Sequence, residues 1–158
     1  MKQLWAPWRL EYIEGADRQE GCVFCRAREA SDEEALVVHR GERAFVLLNK
    51  YPYASGHLMV APNRHEGEFG DLDSDEALEI HRLAASGLAA LAETMQPQGF
   101  NLGWNLGRIA GAGVVDHVHM HVVPRWVGDT NFMPVLADVK VLPEALEETR
   151  RKIAAAWP

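Results

Sequence analysis

The stretch His117-Val118-His119-Met120-His121-Val122-Val123 alternates histidine with apolar residues at a period of two. In an extended strand the three imidazoles leave one face and Val118, Met120 and Val122 enter a core on the other. Same-face neighbours stand about 7 Å apart, near enough to share one ligand and far enough to take different jobs. A plain polar strand face is served as well by Thr, Lys or Glu, so three histidines in strict alternation point to chemistry. Imidazole is largely neutral near pH 7, and can act as nucleophile, metal ligand or proton donor.

Three other groups could join that row. Cys22 and Cys25, the only cysteines, read C-V-F-C. Two cysteines make no disulfide framework, and their spacing suits a metal site or a redox pair. The polar run from Gly15 to Gly21 supplies no strand for a thioredoxin-like motif to follow, which leaves half of a zinc site, needing two further ligands from elsewhere, or a chance pair of reduced, unmetallated thiols. His65, in Pro62-Asn63-Arg64-His65, is a candidate. The loop Gly107-Arg108-Ile109-Ala110-Gly111-Ala112-Gly113 leads into the histidine row, and glycines at 107, 111 and 113 can turn several N–H groups toward an anion, phosphate being the natural one.

The elements that must position these groups follow from periodicity. Ala35–His39 and Arg43–Leu48 read as strands joined by Arg40-Gly41-Glu42. A polar connection, Asn49 to Gly56, leads to a strand at His57–Ala61 that ends at Pro62. From Asp73 or Ser74 to about Met95 runs one long helix, with acidic residues at its start and an apolar stripe of Ile80, Ala84, Gly87, Leu88, Leu91 and Met95. His81 lies beside that stripe and His39 at a turn; neither is given chemistry. Phe100–Leu106 reads as a strand with Asn101, Gly103 and Asn105 on one side. A short helix at about Arg26–Ala30, a short strand at Val135–Val139 and a final helix at 143–156 complete the pattern. The fold class is α+β, with antiparallel strands and two unequal helices.

At 158 residues the chain reads as a single domain, 1–158, with an N-terminal arm at 1–20 carrying Trp5, Trp8 and Tyr12 as packing anchors. A formal charge of -7 and a pI near 5.5 argue against non-specific nucleic-acid binding, so an anionic ligand needs a local positive site. The start has no apolar signal region and no stretch nears 18 apolar residues, which predicts a cytoplasmic protein with no membrane partner.

The motif His117-Val-His119-Met-His121-Val-Val resembles the histidine-triad (HIT) family pattern, and the stretches NKYPYASGH, NLGWNLGRIAGAG and PRWVGDTNFMP resemble bacterial members that are diadenosine tetraphosphate phosphorylases. The likeness spans about Cys22 to Pro134. It implies a HIT-like fold of about five antiparallel strands, a nucleotide substrate and a homodimer built on a continuous sheet. It puts the nucleophile at His119, and a neutral imidazole attacking an α-phosphorus would give a nucleotidyl-histidine. His121 would donate to phosphate oxygen, helped by Asn105 and the loop N–H groups, with the His119 Nδ1 held by a backbone carbonyl. Asn49, His57 and Arg125 would complete the substrate site. The C-x-x-C resembles zinc-carrying members akin to galactose-1-phosphate uridylyltransferase, which implies a closed, structural Zn2+ on Cys22, Cys25, His65 and His117.

Where many hydrolases of the family carry Gln or Ser, four residues before the first triad histidine, this chain has Gly113. The space could admit inorganic phosphate in place of water, giving phosphorolysis, with Lys50, Arg64 or Arg125 as anion partners. Three alternatives stand beside this reading: a phosphoramidate or mononucleotide hydrolase of the same family, a hydrolase with a catalytic zinc on His117, His119 and His121, and a nucleotide-binding protein without turnover.

Overall fold

The computed structural model describes residues 21–129 and 142–158. The aromatic arm and the strand expected at 135–139 lie outside the described residues. Five short runs rich in Val, Leu and Phe form one antiparallel sheet. In chain order the elements are α1 (Val23–Glu29), β1 (Val37–Arg40), β2 (Ala44–Leu48), β3 (Leu58–Pro62), α2 (Ser74–Met95), β4 (Gly99–Trp104), β5 (Met120–Arg125) and α3 (Leu146–Ala155). The sheet order is β1-β2-β3-β5-β4, so β5, last in sequence, is inserted between β3 and β4. The α+β expectation holds.

The long helix begins where its acidic start predicts. Asp73 accepts the Glu76 N–H at 2.8 Å, and the Glu76 carboxylate accepts the Asp73 N–H at 3.0 Å. This reciprocal capping box satisfies donors that the first turn leaves orphaned. The helix ends at Gln96, which turns left-handed (φ 48°) just before Pro97. Ile80, Leu83, Ala84, Gly87, Ala90 and Leu91 are buried against the sheet, with Leu88 and Met95 at the margin. His81, beside the stripe, is exposed.

Both sheet faces are covered. Val38, Val46, Leu48, Leu58, Val60 and Val122 meet α2 and α3 on one side. Val37, Phe45, Leu47 and Ala61 meet Phe24 and Ala27 of α1 on the other. The register carries this second face across the sheet, through Val37↔Leu47, Leu47↔Met59, Met59↔His121 and His121↔Gly103. The histidine row therefore shares its face with the cysteine-bearing helix.

Three expectations shift. The histidine strand begins at Met120, not His117: the N–H of Val118 bonds to the Glu66 carbonyl (2.6 Å), a loop, so regular pairing starts later. The three histidines are buried, at 0%, 6% and 8% exposure, because Phe24 of α1 packs on His117 and His119 and the rings of Tyr53 and His57 pack on His121; an open half-buried face is the wrong picture. Finally, the strand expected at Phe100–Leu106 runs from Gly99 to Trp104, and Leu102 and Leu106 stand about half exposed.

Candidate active site

Each histidine of the row has its own neighbours. Nδ1 of His119 donates to the carbonyl of His117, two residues back, at 2.9 Å. This fixes the proton on Nδ1 and leaves Nε2 with a lone pair. Phe24 of α1 packs on the ring at 4.6 Å between centroids. Burial lowers the His119 pKa below the usual imidazole value, against the raising effect of its carbonyl contact. The ring is held neutral and aimed, as a nucleophile must be.

His121 is oriented by a chain of partners that begins at the backbone. The N–H of Tyr53 donates to Nδ1 of His57 at 3.0 Å. Asn49 accepts the Tyr51 N–H through Oδ1 (2.9 Å), which leaves Nδ2 facing the same His57 nitrogen at 3.4 Å. With Nδ1 an acceptor, neutral His57 carries its proton on Nε2 and donates it to Nδ1 of His121 at 2.9 Å. His121 in turn keeps its proton on Nε2 and presents it outward. Asn105 Nδ2 lies 3.3 Å from that nitrogen and 3.3 Å from the Tyr53 hydroxyl; turning the amide by half presents its oxygen to both protons. Tyr53 stacks on His121 at 5.6 Å and packs on His57 at 4.6 Å.

Burial, then the neighbouring His119, pushes the His121 pKa down to about 4. Between pH 4 and the unfolded value near 6.5 the unfolded chain binds the extra proton, so this residue makes stability fall as pH drops through that window and stay level above it. The expected loss at pH 5 is on the order of 2 kcal/mol from His121. Urea midpoints at pH 7 and pH 5 should differ accordingly, and His121→Gln should shrink the difference; an unchanged difference would refute the assignment.

The third histidine faces the cysteines. Cys22 Sγ lies 3.3 Å from His117 Nδ1, Cys25 Sγ 3.8 Å from the same nitrogen, and Cys25 Sγ 3.3 Å from His65 Nδ1. One donor atom from each of the four residues lies within 4.8 Å of all the others. Tetrahedral bonds of about 2.0 to 2.3 Å put donors roughly 3.4 to 3.8 Å apart, so the set fits zinc. The outer partners fit as well: His117 Nε2 donates to the Pro62 carbonyl at 2.9 Å, freeing Nδ1, and His65 Nε2 faces Asp116 at 3.7 Å. Burial pushes the Cys22 thiol up, so a thiolate there calls for a cation beside it. Arg40 anchors the cysteine helix, its guanidinium donating to the carbonyls of Ala27, Arg28 and Ala30 and to Asp32.

The remaining candidates spread out. Gly107 (φ 82°) and Gly111 (φ 97°) take left-handed conformations around a short 3-10 turn, whereas Gly113 does not. The N–H groups of Ala110, Gly111 and Ala112 are bonded within the loop, to Gly107 and Arg108 carbonyls; they close the turn. Arg125 sits four residues beyond His121 on the same face, tied to Asn101 and Asp129. Arg64 is committed to Glu66, Glu76 and the Asp71 carbonyl, so its guanidinium braces the loop carrying His65. Lys50 is exposed. Sequence reasoning missed Tyr53, Phe24, Asp116 and the Pro62 carbonyl. Tyr53 stood within a quoted motif, but a carbonyl has no signature in a sequence.

The HIT domain family matches residues 30–127. An AP-4-A phosphorylase of Mycobacterium tuberculosis is 39% identical over 165 residues, spanning 99% of this chain and 85% of that protein. The crystal structure of a Zn-bound histidine triad family protein from Mycobacterium smegmatis superposes with a TM-score of 0.69 at 26% identity, over 87% of this chain and 93% of that one. A histidine triad nucleotide-binding protein of Sulfolobus tokodaii gives 0.68 at 27%, over 85% and 91%. Together with a buried His-x-His-x-His row whose middle ring is aimed by a backbone carbonyl, these matches show that the chain belongs to the HIT domain family.

Proposed function

We propose that this protein cleaves dinucleoside polyphosphates of the diadenosine tetraphosphate class through a nucleotidyl-histidine intermediate on His119. The observation that carries the reading is the buried His119 ring, protonated on Nδ1 against the His117 carbonyl and bare at Nε2. The 39% relative named AP-4-A phosphorylase supports the substrate class. In the first step Nε2 forms a bond to the α-phosphorus, and the bridging P–O bond breaks with its electrons going to the leaving nucleotide. His121 Nε2–H, with Asn105 beside it, donates to the phosphoryl oxygens as charge builds. In the second step an oxygen nucleophile displaces His119 and restores its lone pair.

We take inorganic phosphate as that second nucleophile, on the strength of Gly113 and of the relative's name. Adenylyl transfer to phosphate gives ADP, and transfer to water gives AMP. The test is a reaction with diadenosine tetraphosphate and labelled phosphate: ADP carrying the label supports phosphorolysis, and unlabelled AMP as the sole second product overturns it. Quenching without acid and digesting should also recover a nucleotidyl peptide containing His119. Without that peptide, the covalent route fails.

Cys22, Cys25, His65 and His117 would hold a structural zinc, whose part is to cross-link α1 and the 62–66 loop to the start of the histidine row. The catalytic-zinc alternative has less support, since both ring nitrogens of His117 are committed, Nδ1 facing the cysteines and Nε2 the Pro62 carbonyl, so that ring has none left for an ion shared with His119 and His121. We place dimerisation at the outer edge of β4, where Leu102 is exposed and, among the described residues, the strand has no second neighbour. The compartment we assign is the cytoplasm, where two free thiols persist. Among the described residues no helix is long and apolar enough to cross a membrane.

A further inference from the structure

A cavity of about 230 Å³ opens beyond His121, lined by Tyr53, Ala54, Asn101, Val123, Arg125 and Asp129. Register places it on the catalytic face. His121, Val123 and Arg125 follow one another at alternate positions of β5, and Asn101 pairs with Val123 on the adjoining strand. At about 7 Å per two residues, Arg125 lies roughly 14 Å along the strand from His121. Tyr53 is the shared wall, with its ring stacked on His121 and also lining the cavity. A molecule attacked at His119 could therefore extend past His121 into this space without leaving the sheet face.

The chemistry of the walls tells what they suit. Asp129 pairs with Arg125 through two guanidinium nitrogens, and Asn101 Oδ1 takes a third N–H at 2.9 Å. The positive charge is thus matched by a carboxylate inside the same cavity, which disfavours a phosphate group there. Groups that both donate and accept are favoured: vicinal hydroxyls can donate to the Asp129 and Asn101 oxygens while accepting from Arg125. A flat aromatic wall adds a stacking surface for a base. The volume is below the roughly 300 to 1,000 Å³ that encloses a drug-sized ligand, so it suits a fragment.

We propose that this cavity is the subsite for the second nucleoside of the dinucleotide, the one that departs with the leaving group, recognised by its ribose hydroxyls at Asp129 and Asn101 and by its base along Tyr53. The proposal rests on the function argued above. It reassigns Arg125, which the sequence marked as an anion partner, to holding Asp129 in place. It also makes selection for two-ended substrates a property of the far end of β5.

The experiment compares kcat/KM for diadenosine tetraphosphate and for adenosine tetraphosphate, which has the same phosphate chain without the second nucleoside. The wild-type protein should favour the dinucleotide by about tenfold, equivalent to roughly 1.4 kcal/mol. Asn101→Ala and Asp129→Asn should each lower that ratio about fivefold, on the scale expected when a hydrogen-bonding subsite loses a partner. Asn101 is exposed on an edge strand, so at least one variant keeps the fold. A ratio near one in the wild-type protein, or a ratio that both variants leave unchanged, overturns the subsite. So does a variant that raises only the KM for inorganic phosphate, which would make the cavity a phosphate site. If the wild-type protein cleaves neither compound, the proposed function itself falls, a result distinct from cleavage without discrimination.

Discussion

Replacing His119 with Ala lowers turnover of diadenosine tetraphosphate by on the order of 10⁴-fold or more, the scale seen when a covalent nucleophile is removed. AMP binding, followed by titration, should stay within a few-fold of the unaltered protein. The split follows from the geometry. His121, Asn105 and the ring wall of Tyr53 are held by partners other than His119, through His57 and the backbone. Truncation at 119 removes the atom that bonds to phosphorus and a ring contact with Phe24 at 4.6 Å, but leaves that scaffold attached. The cost in stability should resemble other large-to-small changes at buried sites, about 2 to 4 kcal/mol, so the variant must be assayed below its own unfolding midpoint. Turnover within tenfold of the original would show that another group attacks.

The second large effect concerns the metal. The purified protein should contain one zinc per chain, and a strong chelator should lower its melting temperature by on the order of 10 °C or more. Apparent binding energies of structural zinc run to about 10 kcal/mol, and each 1 kcal/mol moves the midpoint of a chain this size by about 2 to 4 °C. Cys25→Ser should lose the metal and melt at the chelated value. Arg40→Lys, which replaces a fork of donors holding the cysteine helix by a single ammonium, touches no ligand directly and should weaken zinc retention by about threefold, through the placement of the helix that carries Cys25. Protein that carries no metal as purified, and melts at the same temperature with or without chelator, would remove the zinc from this account.

Much of this architecture was legible in the sequence because it rests on local rules. The 22-residue helix announced itself by Asp73 and Glu76 at its start and Pro97 at its end. The strands showed as short β-branched runs between glycine and proline. The four ligand candidates came from spacing and family likeness, and the fold brings their donor atoms together. What could not be read was long-range. Burial of the histidines depends on Phe24 of α1 and on Tyr53, both distant in sequence, packing on their rings. The commitment of Arg64 depends on Glu76, twelve residues away and on another element. Asn49 was assigned to substrate, yet its amide faces His57, a contact that only the folded connection between β2 and β3 creates. In the glycine loop, whose composition suggested an open nest, the amides of Ala110, Gly111 and Ala112 close a turn.

The row that runs from the Tyr53 amide through His57 to His121 has a head and a tail. A peptide N–H is far too weak an acid to hand its hydrogen down the row, so the inner end is sealed. The hydrogen that His121 carries on its outer nitrogen has no exit inward, because the other ring nitrogen is occupied by the His57 N–H. It can leave only toward the departing nucleotide or through the mouth of the cleft. The traffic of protons in this enzyme is therefore confined to the side from which the substrate arrives.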